Sequence, residues 1–268
     1  MAQRYVRLQT QSSRIRYGLL ELDRTVQLLD APPWLDGQPT DEVLLAETYR
    51  LLAPCAPSKI VGVGKNYGDH AAEMGSAVPV EPLLFLKPPS AIAAHDDAIL
   101  YPAASQRVDY EGELALIIGQ PAQNCGLAAA RQAIWGYTIA NDVTARDLQR
   151  RSPGPWALAK GFDSFCPLGP WMVRELSPCA RIQTFLNGAA EPVQTATLDQ
   201  MVYGPATLVS YISQVMTLLP GDVILTGTPA GVGPLAVGDR VDIEIEGIGR
   251  LSNSVLARPI AASQPALT

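Results

Sequence analysis

Only two histidines and four cysteines occur in the 268 residues, and no two of the cysteines stand as CxxC. That scarcity excludes a zinc finger and argues against a disulfide framework. Charged residues are also few, 17% of the chain, with a formal net charge of -6. No basic stretch offers the footprint that a nucleic-acid backbone requires. No window is long and apolar enough to cross a bilayer, and Met1 to Thr10 carries no apolar leader. The expectation is a soluble, cytoplasmic protein with neither nucleic acid nor membrane among its partners. What the chain does have is a 47% hydrophobic fraction, ample for a core, and many helix breakers, Gly 22 and Pro 23. Short strands and turns are expected rather than a helical bundle.

Hydrophobic alternation begins at once. Tyr5-Val6-Arg7-Leu8, Ile15 to Leu22 and Thr25 to Leu29 read as a small antiparallel meander. Asp41 to Glu47 reads as a short helix with acids in its first turn. Prolines punctuate Leu51 to Pro57, and a boundary is placed there. Residues 1–58 form one small unit and residues 59–268 a second, larger one. The first unit holds no catalytic constellation and reads as a structural cap.

Chemistry gathers in the second unit, around Tyr110-Glu111-Gly112-Glu113-Leu114. Side chains alternate along a strand, so Glu111 and Glu113 point the same way, and Gly112 puts nothing on the other face. Two like charges at the mouth of a buried strand repel, and both are costly to desolvate. A hard cation such as Mg²⁺ relieves both problems. A solvated strand end is the plain alternative. Trp135 to Asp142 reads as a strand ending in an acid, reached from the Glu strand by a helical crossover over Leu127–Ile134. Asp142 is thus the natural third ligand, although taken alone it reads better as a helix N-cap or turn acid. Arg146 and Gln149 follow the strand end and suit an anionic substrate. Lys160 sits in an apolar, glycine-rich setting, where an unpaired ammonium would be costly; alone it reads equally as a surface lysine. His70 and Glu73 are i,i+3 neighbours on a short helix, the spacing at which a carboxylate can orient a general base, although by itself the pair reads as an ordinary exposed helical pair. His95 reads as a surface loop residue. Near the C-terminal end, Ile182 to Ala189 carries an Asn-Gly hairpin signal. Leu208, Tyr211, Ile212, Val215, Met216 and Leu219 mark an amphipathic helix. Thr226 to Pro234 is a hydroxyl- and glycine-rich loop suited to cradling a carboxylate. Val241 to Gly249 reads as an edge strand.

From about Lys59 onward the chain resembles the fumarylacetoacetate hydrolase superfamily, closest to its acylpyruvate hydrolase and oxaloacetate decarboxylase branch. Five stretches carry the resemblance, in the family's order: Val63 to Glu73, Tyr110 to Leu114, Asn141 to Asp147, Pro155 to Lys160, and Leu225 to Gly233. The resemblance implies an α+β, β-rich fold, a mixed β-roll catalytic domain preceded by a small N-terminal α/β cap domain, usually in a homodimer. It implies Glu111, Glu113 and Asp142 as ligands for Mg²⁺ or Mn²⁺. It implies His70, Glu73 and Lys160 as the catalytic groups, and Arg146, Gln149 and Thr228 as residues near the substrate. The expected substrate is a small 2-oxo acid with a second carbonyl. Hydrolysis of acylpyruvates stands first. Oxaloacetate decarboxylation and keto–enol tautomerisation use the same site. Hydration of a 2-oxo-alkenoate and non-catalytic oxo-acid binding remain further alternatives.

Overall fold

The computed structural model describes residues 2–73, 75, 77–151 and 154–259. The alternating N-terminal stretches pair as antiparallel strands, Arg4–Thr10 with Ile15–Leu20, then Val26–Leu29, then Pro39–Leu44. The helix expected over Asp41–Glu47 is instead part of that last strand and a turn. Pairing of Gln27 with Val43 supplies strand hydrogen bonds that outweigh the local helical preference. Among the described residues of the first 58, the helical element is a single 3-10 turn, Pro33–Leu35.

These strands do not stand apart. Arg4–Thr10 pairs with Cys166–Val173, so the N-terminal meander extends a 12-stranded sheet. The sheet continues through Ile134–Asn141, Gly112–Ile118, Val223–Leu225, Ile60–Gly64 and Leu83–Lys87. Asp222 clamps the junction. Its carboxylate accepts the Ser58 and Lys59 amides, the Ser58 hydroxyl, the Lys59 ammonium and the Leu219 amide.

A second sheet of five strands runs Gln194–Thr197, Arg181–Leu186, Arg240–Ile245, Gly249–Ala257 and Ile99–Tyr101. The Asn-Gly signal is borne out: Asn187 (φ 52°) and Gly188 (φ 70°) end the strand Arg181–Leu186, which pairs with Gln194–Thr197. Arg240–Ile245 has a partner on each side, so the segment read as an edge strand is interior. The expected amphipathic helix spans Pro205–Val215 and buries Leu208, Val209 and Ile212. Among the described residues no helix is long and apolar enough to cross a membrane.

The two sheets meet at Gly112. A Cβ there would lie 2.4 Å from Thr184 Oγ1 and 3.2 Å from Ile243 Cγ2 of the five-stranded sheet. A side chain at this position would overlap the facing layer. Glycine between the two glutamates is therefore a packing requirement, and it keeps both carboxylates on the opposite side.

Candidate active site

Glu111 immediately precedes the strand Gly112–Ile118, and Glu113 is its second residue. Ile134–Asn141 pairs with that strand antiparallel, Gly112 opposite Asn141. The expected crossover is therefore an arch carrying the helix Leu127–Ala133 back alongside its own strand. The register places Asp142 beside Glu111: the Asp142 amide donates to the Glu111 carbonyl at 2.8 Å, and the Glu111 amide donates to Asn141 Oδ1 at 2.9 Å. Carboxylate oxygens of Glu111, Glu113 and Asp142 lie within 4.8 Å of one another, and all three residues are buried.

Three buried cations surround them. Lys160 Nζ donates to Glu111 Oε2 (2.8 Å) and Asp142 Oδ2 (2.5 Å). Lys87 Nζ donates to Asp142 Oδ1 (2.6 Å) and the Val143 carbonyl (3.2 Å). Arg146 spends all three guanidinium nitrogens on the protein: Nε on Asp109 (2.9 Å), one terminal nitrogen on Glu111, the other on Gln149 Oε1 (2.6 Å). Glu113 is different. One oxygen accepts the Gly227 amide at 2.7 Å, and no ion pair reaches it among the described residues. Four buried carboxylates, counting Asp109, thus meet three buried cations.

The electrostatics follow from this layout. Burial alone would raise the Glu111 carboxyl, but Lys160 and Arg146 outweigh it and hold the group below the ordinary carboxylate range. Glu113 goes the other way: burial, then the charges of Asp142 and Glu111, push it well above that range. Burial disfavours charge on Lys160, yet Asp142 and Glu111 more than compensate and its pKa is raised. A buried carboxylate without a counter-ion, beside two others, is a donor set that could hold a hard divalent cation.

His70 lies on the short helix Gly68–Glu73 and is 5% exposed. Its Nδ1 is 3.3 Å from Glu73 Oε2. The Gly231 amide in turn donates to Glu73 at 3.1 and 3.2 Å. The glycine-rich loop does cradle carboxylates, but they are the protein's own: Gly227 holds Glu113 and Gly231 holds Glu73. Gly227 adopts φ +96°, where a Cβ would meet Asn66 at 2.7 Å, so this amide needs glycine to reach its carboxylate. The Thr228 hydroxyl donates to the Gly112 carbonyl (2.9 Å) and accepts from Gln194 Nε2 (2.7 Å).

All nine side chains expected at the site fall in one region. His70, Glu111, Glu113, Asp142, Arg146, Gln149, Lys160 and Thr228 line a single cavity of about 170 Å³, and Glu73 stands behind His70. Phe85 and Trp156 wall it, their rings 5.6 Å apart, with Lys160 Nζ 4.8 Å from the Phe85 centroid. Sequence reasoning missed Lys87, Asp109 and Asn141. Lys87 carried a usable signal, because a lysine closing the apolar run Leu83–Lys87 poses the same desolvation problem as Lys160. His95 is not a free surface residue either. It is half-buried, and its Nδ1 accepts the Ser252 amide at 3.1 Å.

Residues 59–256 match the family model for the fumarylacetoacetate (FAA) hydrolase C-terminal region, and residues 3–54 match one for an Rv2993c-like N-terminal region. A 2-hydroxyhepta-2,4-diene-1,7-dioate isomerase structure from Mycobacterium marinum superposes with a TM-score of 0.87 at 41% identity, covering 97% of this chain and 100% of that one. The human mitochondrial oxaloacetate tautomerase FAHD2A is 42% identical over 231 residues, 80% of this chain and 72% of that protein. A fumarylpyruvate hydrolase from Pseudomonas aeruginosa, solved with Mn²⁺ and pyruvate, superposes with a TM-score of 0.72 at 33% identity over 82% of this chain and 93% of that one. By sequence and by fold, the chain belongs to the fumarylacetoacetate hydrolase family.

Proposed function

We propose that this protein is a divalent-metal-dependent hydrolase that cleaves the C–C bond of acylpyruvate-type 2,4-dioxo acids. The observation that carries the reading is the convergence of Glu111, Glu113 and Asp142 within 4.8 Å, in one cavity with Lys160 and the His70–Glu73 pair. Glu111, Glu113 and Asp142 would hold Mg²⁺ or Mn²⁺, which when bound supplies Lewis-acid polarisation of the oxo-acid oxygens. The rest of the chemistry belongs to side chains. Glu73 against Nδ1 fixes the His70 tautomer and leaves Nε2 to take a proton. His70 accepts that proton from a water as its oxygen adds to the distal acyl carbonyl. The C–C bond then breaks, and its electron pair passes to the pyruvate fragment as an enolate. Lys160 offers positive charge where the enolate develops, and Phe85 and Trp156 keep bulk water from that carbon. His70 returns that proton to the enolate carbon, which releases pyruvate beside the shorter acid and restores the imidazole.

A second reading has its own support. The human tautomerase is 42% identical to this chain, and keto–enol exchange of oxaloacetate needs the same electron sink with one proton moved. Decarboxylation of oxaloacetate needs the sink without a water nucleophile. Product analysis separates the three. With Mg²⁺ present, acetylpyruvate should give pyruvate and acetate in equal amounts, seen by mass and by proton NMR. Failure to split acetylpyruvate or fumarylpyruvate, together with rapid equilibration of enol-oxaloacetate, would replace hydrolysis by tautomerisation. Four free cysteines, Cys55, Cys125, Cys166 and Cys179, support a reducing, cytoplasmic setting. The proposal includes a homodimer, as the family resemblance implies, and a division of the chain near residue 58.

A further inference from the structure

Two cations at the cavity have no work within the protein. Lys65 and Arg150 line the same cavity as the acidic cluster. Neither side chain has a hydrogen-bond or ion-pair partner among the described residues. Their neighbours differ sharply. Arg146, the arginine expected to meet the substrate, is consumed by Asp109, Glu111 and Gln149. Lys160 and Lys87 are consumed by Glu111 and Asp142. Both are less buried than the paired cations. Lys65 follows the strand Ile60–Gly64 in a left-handed conformation, φ 58°, which ends the strand and turns its side chain off the ladder. Arg150 caps the short helix Arg146–Gln149, its amide bonded back to the Arg146 and Leu148 carbonyls, and its side chain is exposed.

We propose that Lys65 and Arg150 form a second anion-binding point that makes the site selective for 2-oxo acids carrying a distal carboxylate. This rests on the reading of the inner cluster as the place that takes the oxo-acid head. With the head at the acidic cluster, the tail occupies the rest of the cavity of about 170 Å³, where Lys65 and Arg150 are the lining cations left unpaired. A methyl or alkyl tail there leaves an ammonium and a guanidinium unpaired. A carboxylate tail meets both, and a guanidinium can hold it through two parallel N–H···O bonds. Because Arg150 is exposed and Lys65 half-buried, the gain is screened by salt, unlike the inner contacts.

The test needs no turnover. With Mn²⁺ present, 2-oxoglutarate and 2-oxopentanoate share a head and a chain length and differ in the distal carboxylate. Calorimetric titration should find the dianion tighter by roughly tenfold or more in the wild type. Lys65→Met with Arg150→Met should bring that ratio to within about twofold, and 0.5 M KCl should shrink it in the wild type. Comparable affinity of both acids for the wild type, or a ratio unmoved in the double variant, overturns the proposal. A parallel measurement takes kcat/KM for fumarylpyruvate over acetylpyruvate, where the loss should fall mainly on KM. If the binding preference holds while neither acid is split, the hydrolase reading fails and the anion point stands.

Discussion

Charge balance around individual side chains explains why the site is arranged as it is. Lys87 is fully buried, and its ammonium is fixed between Asp142 and the Val143 carbonyl. Removing it strands an unpaired carboxylate oxygen at the expected metal ligand. Lys87→Met should cost about 3–5 kcal/mol in urea denaturation and weaken Mn²⁺ binding measured by titration; unchanged affinity would show that Asp142 keeps its orientation without Lys87. Asp222 makes a pH prediction. Burial would raise its carboxyl, but the bonds from Lys59, Ser58 and Leu219 outweigh burial and lower it. A carboxyl depressed in the folded state stabilises above its unfolded value, about 3.9, and that contribution is lost as pH falls below it. Asp222→Asn should therefore destabilise by about 2–3 kcal/mol at pH 6, and the gap to wild type should narrow at pH 3. Parallel stability curves across that window would contradict the clamp.

At the scale of elements, the site depends on two facing layers and one register. Gly112 is the point of contact, and a methyl added there runs into Thr184. Gly112→Ala should destabilise by about 1–3 kcal/mol, and Thr184→Ser alongside it should not restore stability, because the hydroxyl oxygen remains; Thr184→Ala should recover part. A neutral Gly112→Ala would mean that the layers separate more readily than the packing indicates. The glutamate pair and the His70–Glu73 spacing could be read from the chain because each depends on local periodicity, whereas Asp142 joins the pair through the register of Gly112 opposite Asn141, which local periodicity does not carry. The errors lie where distant pairing decides. Asp41 to Leu44 has helical residues, but Val26–Leu29 offers it ladder bonds. Val241 to Ile245 alternates like an edge, but Arg181–Leu186 and Gly249–Ala257 flank it. Arg146 looked available to a substrate because nothing local reveals Asp109, 37 residues away, as its partner. Lys65 and Arg150 attract notice only once every other cation at the cavity is seen to be paired.

For the molecule as a whole, the N-terminal strands are continuous with the catalytic sheet through Arg4–Thr10 and Cys166–Val173. Trp34 and Trp135 reinforce the join, with the Trp135 indole donating to the Pro33 carbonyl at 3.1 Å. This continuity predicts one cooperative unfolding transition for the full chain; two resolved calorimetric transitions would contradict it. The central claim is that Glu111, Glu113 and Asp142 form a metal platform on which turnover depends. The most direct measurement is acetylpyruvate cleavage by chelator-treated protein as Mg²⁺ or Mn²⁺ is restored, with Glu113→Gln in parallel. The platform predicts a rate that vanishes on chelation, returns with the ion in a saturable way, and falls by at least about a hundredfold in a Glu113→Gln protein that still folds. Full cleavage in chelator, or undiminished cleavage by Glu113→Gln, would contradict it.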